Sequence, residues 1–88
     1  MDGKALVAWN LRRIRVERGV SQEQLAVDAG VDRTYVGRIE RGMENPTVAN
    51  LDKLAEALHV HISALFTKPA PGERRAKPLQ PGRKPSPD

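Results

Sequence analysis

Residues 21–42 read SQEQLAVDAGVDRTYVGRIERG, and this stretch decides the fold. Within it, Ala26 is followed four positions later by Gly30 and six positions after that by Val36. A small side chain lets two helices cross closely, glycine can adopt the left-handed conformation of a sharp turn, and valine fills the angle between the helices. This spacing predicts a helix-turn-helix motif over residues 22–41.

Capping residues set the ends of the two helices in this motif. Ser21, with Gln24 three residues later, predicts a capping box at the start of the first of them. Asp32 predicts an N-cap for the second, which we expect to stop at Gly42.

The flanking sequence adds three more helices. Apolar residues at helical spacing predict a helix over residues 3–18, and Thr47 caps another whose apolar stripe continues to Leu58. A short helix over residues 62–66 closes the domain, and no strand pattern appears. We therefore expect an all-α fold, a compact five-helix domain over residues 1–66. The expected core residues of the first and fourth helices are Val7, Leu11, Ile14, Val48, Leu51, Leu54, Ala55 and Leu58.

The composition allows one small domain. The chain has 88 residues and no cysteine, which excludes disulfides, thiolate metal sites and a cysteine nucleophile. No apolar run approaches the ~18 residues of a membrane helix, and no signal-peptide pattern begins the chain. These features predict a cytoplasmic protein with no membrane partner.

The net charge of +4 comes from the C-terminal segment alone. Residues 1–66 carry nine basic and nine acidic side chains, whereas residues 67–88 carry six and two. The latter segment also holds six of the seven prolines, so it predicts a disordered, Pro-rich basic tail. The sequence leaves open whether this tail is a solvated end, a basic arm for DNA or, through its PLQP run, a polyproline ligand.

The helix over residues 33–41 has an unusual outward face. At ~100° per residue, the arc opposite the apolar side contains Arg33, Thr34, Gly37, Arg38 and Arg41. An ordinary solvated face pairs opposite charges, but no carboxylate lies on this arc. Arginine forks match guanine edges and phosphates, and a glycine would let the helix approach a groove wall. The arc predicts a surface that reads DNA.

Three local patterns carry a family resemblance: SQxxLAxxxG from residue 21, RxExG from residue 38 and NPT from residue 45. On these patterns, residues 5–66 resemble the phage-repressor/Cro-like helix-turn-helix family, often called the XRE family. The resemblance implies a lambda-repressor-like domain that binds a double-stranded DNA operator, usually as a homodimer, with the third helix in the major groove. Neither the resemblance nor the residues indicate a metal, a cofactor or a small-molecule ligand.

The resemblance also implies roles for single residues. The usual base-reading positions hold Arg33, Thr34 and Arg38. The residues expected to contact or face the DNA backbone are Gln22, Gly37, Arg41, Asn45, Thr47 and Val48. Tyr35 lies at the margin of the arc, where it either stacks on a sugar–phosphate edge or covers the turn.

Two features depart from a plain helical surface. Arg15 lies on the apolar side of the first helix, and the resemblance pairs it with Glu40 in a structural ion pair. His59 stands where the family has a glycine in a left-handed turn, so we expect a less stable junction there. His61, two residues further on, predicts no metal site because no third ligand is recognisable nearby.

Trp9 is the one large aromatic side chain of the first helix. A helical wheel places it opposite the core, in an exposed stripe with Ala5 and Val16. There it either packs against the last helix or the tail, or contacts a partner. The resemblance implies a dimer interface on the last helix, formed by Ile62, Leu65 and Phe66, and Trp9 is a candidate to join it.

Together these patterns predict a sequence-specific, repressor-like transcription regulator, and the resemblance implies that it binds an operator as a dimer, which would place it on the nucleoid. No nucleophile–base pair or carboxylate dyad indicates an enzyme. The alternative is a protein-interaction module, such as an antitoxin or an adaptor with the same fold. The polar arc argues against this alternative, because the centre of a protein interface holds apolar side chains.

Overall fold

Four α-helices and a terminal 3₁₀ helix follow one another along residues 1–70, the part of the chain that a computed structural model describes. They are α1 (Gly3–Glu17), α2 (Gln22–Ala29), α3 (Arg33–Glu40), α4 (Val48–Ala57) and the 3₁₀ helix (Ile62–Phe66). No strand occurs among these residues, so the all-α prediction is confirmed. None of the helices has the length and apolarity needed to cross a membrane. Most of the predicted disordered tail, from residue 71 onward, lies outside the described residues.

The helices α3 and α4 begin at the predicted caps. The Asp32 carboxylate accepts a hydrogen bond from the backbone N–H of Thr34 at 2.7 Å. The Thr47 hydroxyl accepts one from the backbone N–H of Asn50 at 3.1 Å. Each cap satisfies a donor that the helix itself leaves open, which is worth about 0.5–2 kcal/mol.

The capping box predicted for α2 forms only in its first half. The Ser21 hydroxyl accepts a hydrogen bond from the backbone N–H of Gln24 at 3.0 Å. The Gln24 side chain does not return to Ser21 but donates to the carboxylate of Asp28 at 2.8 Å. Asp28 lies one turn further along the same face, and its carboxylate, a charged acceptor, holds the amide nitrogen of Gln24 towards that end of the helix.

The turn between α2 and α3 has the predicted geometry. Gly30 takes the left-handed conformation at φ +72°, and the N–H of Val31 closes the turn on the carbonyl of Ala26 at 2.9 Å. Ala26 and Val36 are both buried between the two helices. The turn thereby holds α3 against α2 with its other side facing outward.

The core forms where all five elements meet, and it includes every predicted core residue except Val48. Val48 is 69% exposed, because it begins α4 at the surface, one turn before the buried part of that helix. The buried core residues are Val7, Leu11, Ile14, Leu25, Ala26, Val36, Ile39, Leu51, Leu54, Ala55, Leu58 and Leu65.

Trp9 does not lie opposite the core, so the placement by the helical wheel is wrong, but of the two roles that the sequence leaves open for it the structure shows packing within the chain. Only 8% of Trp9 is exposed, and the guanidinium of Arg13 lies 5.1 Å from the centre of its ring. The helical wheel assumed a single core direction, but α1 packs against both α3 and the 3₁₀ helix. Its buried arc is therefore wide enough to include Trp9, which packs within the chain.

His59 takes the left-handed conformation at φ +59°, as its place in the sequence predicts. A side chain with a β-carbon is strained there by roughly 1–2 kcal/mol. His61 is the N-cap of the 3₁₀ helix, and its Nδ1 accepts a hydrogen bond from the backbone N–H of Ser63 at 3.1 Å. Within residues 1–70, no three His, Asp or Glu side chains converge as metal ligands.

Candidate nucleic-acid interface

The two sides of α3 differ sharply in burial. Val36 and Ile39 are buried in the core, whereas Arg33 and Thr34 are exposed and Arg38 is half-buried. The apolar side anchors the helix, so its predicted base-reading residues are held at the surface. The structure therefore brings Arg33, Thr34 and Arg38 together on one outward face.

The helical wheel of α3 predicts a face without carboxylates, but in the structure carboxylates from other elements lie beside it. Arg38 donates from Nε to the carboxylate of Glu44 at 3.0 Å and from Nη2 to the carbonyl of Met43 at 3.1 Å. Arg33 lies 3.7 Å from the carboxylate of Glu23. Glu44 belongs to the α3–α4 loop and Glu23 to α2, so neither appears on the helical wheel of α3.

Gly37 is buried, which corrects its predicted place on the open surface. A β-carbon at this position would lie 3.3 Å from Nη1 of Arg41 and 3.5 Å from Oε1 of Gln22. The two side chains close over the backbone of α3 at this point. Glycine therefore makes room for Arg41 and Gln22, and it does not present bare helix to a groove wall.

Arg15 and Glu40 form the ion pair that the resemblance implies. Arg15 donates to the two carboxylate oxygens of Glu40 from Nε at 2.6 Å and from Nη2 at 2.9 Å, and both side chains are buried. Arg15 also donates to the carbonyl of Val20 at 2.9 Å. The pair joins α1 to the end of α3, which fixes α3 against the domain.

Gln22 connects this buried pair to the outer surface. Its amide donates to Oε1 of Glu40 at 3.0 Å, while its own oxygen lies above Gly37. Arg12 approaches the same carboxylate oxygen at 3.9 Å. Glu40 thus contacts three polar side chains from two helices. The side chain of Gln22 is held in place by contacts within the domain alone.

Tyr35 covers the junction between α3 and α4. Its ring packs against the core, and its hydroxyl accepts a hydrogen bond from the side chain of Asn50 at 3.1 Å. Of the two roles that the sequence leaves open, these contacts support the one within the fold. They also join the start of α4 to α3.

A second exposed surface lies at the start of α4. Asn45, Thr47 and Val48 are all exposed there, and so is Arg41, which caps the end of α3. No carboxylate lies within ion-pair distance of Arg41 in the described part of the chain. The positive end of the α4 dipole and this arginine give the surface the character of an anion site.

The residues considered for a dimer interface divide into two groups. Leu65 is fully buried and Trp9 nearly so, because both pack inside the domain, which removes them as contacts with a second copy. Phe66, at the end of the 3₁₀ helix, is 44% exposed, and Ile62, at its start, is half-buried. Only the latter pair offers apolar surface to a partner.

Sequence reasoning missed several residues that shape the interface. Glu44 and Glu23 lie outside the helix whose arginines they approach, so no helical spacing indicates them. The hydrogen bond of Asn50 likewise spans two elements. Arg12 could have been found, because it begins a turn of α1 that continues to the buried Arg15.

Comparison with known proteins agrees with this geometry. The helix-turn-helix family model HTH_3 matches residues 11–65. A hypothetical transcription factor of Neisseria meningitidis serogroup B is 44% identical over 68 residues, which cover 77% of this chain and 64% of the relative. Control protein C.SmaI of Serratia marcescens is 43% identical over 68 residues, which cover 77% of this chain and 81% of the relative. The crystal structure of the restriction-modification controller protein C.AhdI from Aeromonas hydrophila superposes with a TM-score of 0.70 at 43% identity, over 72% of this chain and 96% of that one.

The chain therefore belongs to the HTH_3 helix-turn-helix family. Its helical fold and outward polar face are those of a DNA-binding transcriptional regulator. The resemblance to phage-repressor-like proteins is confirmed, since an immunity repressor of Bacillus phage phi105 is also similar to this chain, at 39% identity over 59 residues.

Proposed function

We propose that this protein regulates transcription by binding a specific double-stranded DNA operator as a homodimer, with α3 in the major groove and without catalysis. The observation that carries the proposal is the division of α3. Val36 and Ile39 are buried, and the opposite side presents Arg33, Thr34 and Arg38. A helix anchored in this way can enter a groove with its polar side towards the bases.

Base reading is assigned to the outward residues of α3. Arginine can donate two parallel hydrogen bonds to O6 and N7 of guanine, and a threonine methyl or hydroxyl can contact several base edges. Arg33 and Thr34 occupy the first turn of α3, and Arg38 follows one turn later on the same side. This placement gives the protein two separate points of base contact along the groove.

Backbone contacts are assigned to the residues that flank this helix. Gln22 stands at the start of α2, and Arg41, Asn45 and the start of α4 form the second exposed surface. Such contacts fix the position of the protein on DNA and carry no sequence information themselves. Gln22 and Arg41 lie together over the backbone of α3 at Gly37, so we expect both to contact DNA beside this point of the helix.

Dimerisation is assigned to the 3₁₀ helix. Phe66 and Ile62 supply exposed apolar surface there, whereas Leu65 and Trp9 are committed to the domain. A two-fold dimer would place two copies of α3 on successive major grooves, so the operator should have two similar half-sites. With chromosomal DNA as the target, we expect the protein on the nucleoid in the cytoplasm.

The test begins with selection of the preferred sequence from random duplex DNA, followed by fluorescence anisotropy with the selected and a scrambled duplex. We expect tighter binding to the selected duplex and a steep salt dependence, with log K falling by about 0.9 per phosphate neutralised for each tenfold rise in salt. Arg38→Ala should reduce the preference between the two duplexes. The matched control is Arg18→Ala, because Arg18 is an equally charged, exposed residue at the end of α1.

Two results would contradict the proposal. One is the failure of any sequence to be enriched, combined with weak binding to all duplexes. The other is an equal effect of Arg38→Ala and Arg18→Ala on the preference. The first result would favour a protein-interaction module with this fold, which binds a protein partner in place of DNA. The second would overturn the assignment of base reading to Arg38.

A further inference from the structure

The guanidinium of Arg38 is bound along only one of its edges. Arginine has five N–H donors arranged on a side edge, formed by Nε and Nη2, and an end edge, formed by Nη1 and Nη2. The side edge is occupied within the chain: Nε donates to Glu44 at 3.0 Å and Nη2 donates to the carbonyl of Met43 at 3.1 Å. Both partners come from the loop that follows α3.

The end edge of the same guanidinium points away from these partners. Nη1 makes no hydrogen bond among residues 1–70, and Nη2 retains a second hydrogen. The side chain of Arg38 is 43% exposed, so this edge is accessible. Two parallel donors on one edge are the arrangement that matches O6 and N7 of guanine.

We propose that Glu44 is a specificity-determining positioning residue, which holds the side edge of Arg38 so that the end edge reads a guanine. The proposal rests on the assignment of α3 to the major groove. A carboxylate on a surface that meets phosphates weakens binding to any DNA. Glu44 therefore lowers the affinity for any DNA, and in our proposal its benefit is the fixed orientation of Arg38, which reads a base.

Arg33 provides an internal comparison, because it has a carboxylate nearby but no such clamp. The distance from its Nη1 to the carboxylate of Glu23 is 3.7 Å, beyond a hydrogen bond, and the two side chains are 68% and 73% exposed. An ion pair of this kind is screened by solvent and imposes little orientation. Glu23 is therefore the matched control for Glu44: it has the same charge and also stands beside an arginine on the outward face.

The experiment compares Glu44→Gln with Glu23→Gln on the selected operator, a scrambled duplex and single-base-pair variants of the operator. The base pair read by Arg38 is defined as the one at which Arg38→Ala loses discrimination. Each Glu→Gln change should raise affinity for the scrambled duplex by about two- to fivefold at low salt, because each removes one negative charge. Only Glu44→Gln should also reduce discrimination at the base pair read by Arg38, by about three- to tenfold.

Glu44→Asp separates orientation from charge. It keeps the carboxylate but shortens its reach to Nε, so affinity for the scrambled duplex should stay constant while discrimination at that base pair falls. In the double variant Arg38→Ala/Glu44→Gln, discrimination should equal that of Arg38→Ala alone. Thermal unfolding of each variant verifies that the domain remains folded at the temperature of the titrations.

The inference fails if Glu44→Gln and Glu23→Gln change affinity alike and leave discrimination at every base pair intact. It also fails if Glu44→Gln lowers discrimination equally in the absence of Arg38. Failure of the proposed function has a different signature, because the wild-type protein would then select no sequence at all.

Discussion

The inner and outer sides of α3 use the same two residue types for opposite purposes. On the inner side, Arg15 and Glu40 are buried and joined by two hydrogen bonds of 2.6 and 2.9 Å. On the outer side, Arg38 and Glu44 share one hydrogen bond of 3.0 Å and are 43% and 30% exposed. The chemistry of the pairs is alike, and what differs is the amount of water around them.

That difference decides what each pair can do. Away from water the attraction between charges is strong, but separating them leaves a charge that nothing solvates, so the inner pair is effectively permanent. At the surface the attraction is screened, and an arginine can add or exchange partners at little cost. The inner pair therefore suits fixing the helix, and the outer pair suits meeting a ligand.

The largest expected effect is the loss of Glu40. Glu40→Ala would leave Arg15 buried without its carboxylate, which should destabilise the domain by about 3–5 kcal/mol. The matched change on the outer side, Glu44→Ala, should cost no more than about 1 kcal/mol. Chemical denaturation followed by circular dichroism measures both, and equal losses would remove the distinction between the two pairs.

Arg38→Ala should show the reverse pattern. We expect it to reduce discrimination between the correct and a wrong base pair by about 1–3 kcal/mol, because one bidentate contact is lost. Its unfolding free energy should fall by no more than about 1 kcal/mol, since the side chain and its pair with Glu44 are at the surface. Fluorescence anisotropy measures the discrimination between base pairs, and chemical denaturation of the same preparation measures the unfolding free energy. A large loss of stability would mean that Arg38, like Arg15, serves mainly to stabilise the fold.

Tyr35→Phe tests a residue at the margin of the two sides. It removes the hydroxyl that accepts from Asn50, so it should destabilise the domain by about 0.5–1.5 kcal/mol. Operator affinity measured well below the unfolding temperature should be unchanged. A clear loss of affinity without a loss of stability would instead assign Tyr35 to the DNA edge.

Gly37→Ala gives the smallest expected effect and tests whether the glycine between the two sides of α3 serves to make room for Arg41. Alanine favours the helix by up to about 1 kcal/mol, and the nearest atom, Nη1 of Arg41 at 3.3 Å from the new β-carbon, can move aside. Thermal unfolding should therefore show slightly higher stability. DNA affinity should fall modestly and equally for all sequences, as Arg41 is displaced.

The Arg41→Ala background provides the control for this prediction. There the effect of Gly37→Ala on DNA affinity should disappear. If it persists, glycine is needed at this position for the approach of DNA itself.

The sequence predicted the elements well, because caps, turn glycines and apolar spacing are local signals. Ser21, Asp32 and Thr47 begin their helices as predicted, and Gly30 makes the turn. The errors concern what lies between elements. A wheel for one helix cannot show that a second neighbour covers Trp9.

The same limit applies to the candidate site. The helical period of α3 predicts which of its residues face outward. It cannot predict that Glu44 contacts Arg38 from a loop or that Gln22 lies over Gly37 from another helix. Asn10 is a related case in the fold. It lies on the apolar face of α1, and its side chain donates to the carbonyls of Leu65 and Thr67 at 3.0 and 2.8 Å, contacts that no local pattern predicts.

Parallel selection of preferred DNA sequences by the wild type, Arg38→Ala and Arg41→Ala tests most directly whether the outer side of α3 reads bases. Arg38 is assigned to a base and Arg41 to the backbone, so their preferences should differ. We expect Arg38→Ala to lose preference at one base pair in each half-site and to keep the others, while Arg41→Ala selects the wild-type sequence with lower affinity. Identical preferences for the wild type and Arg38→Ala would contradict the account.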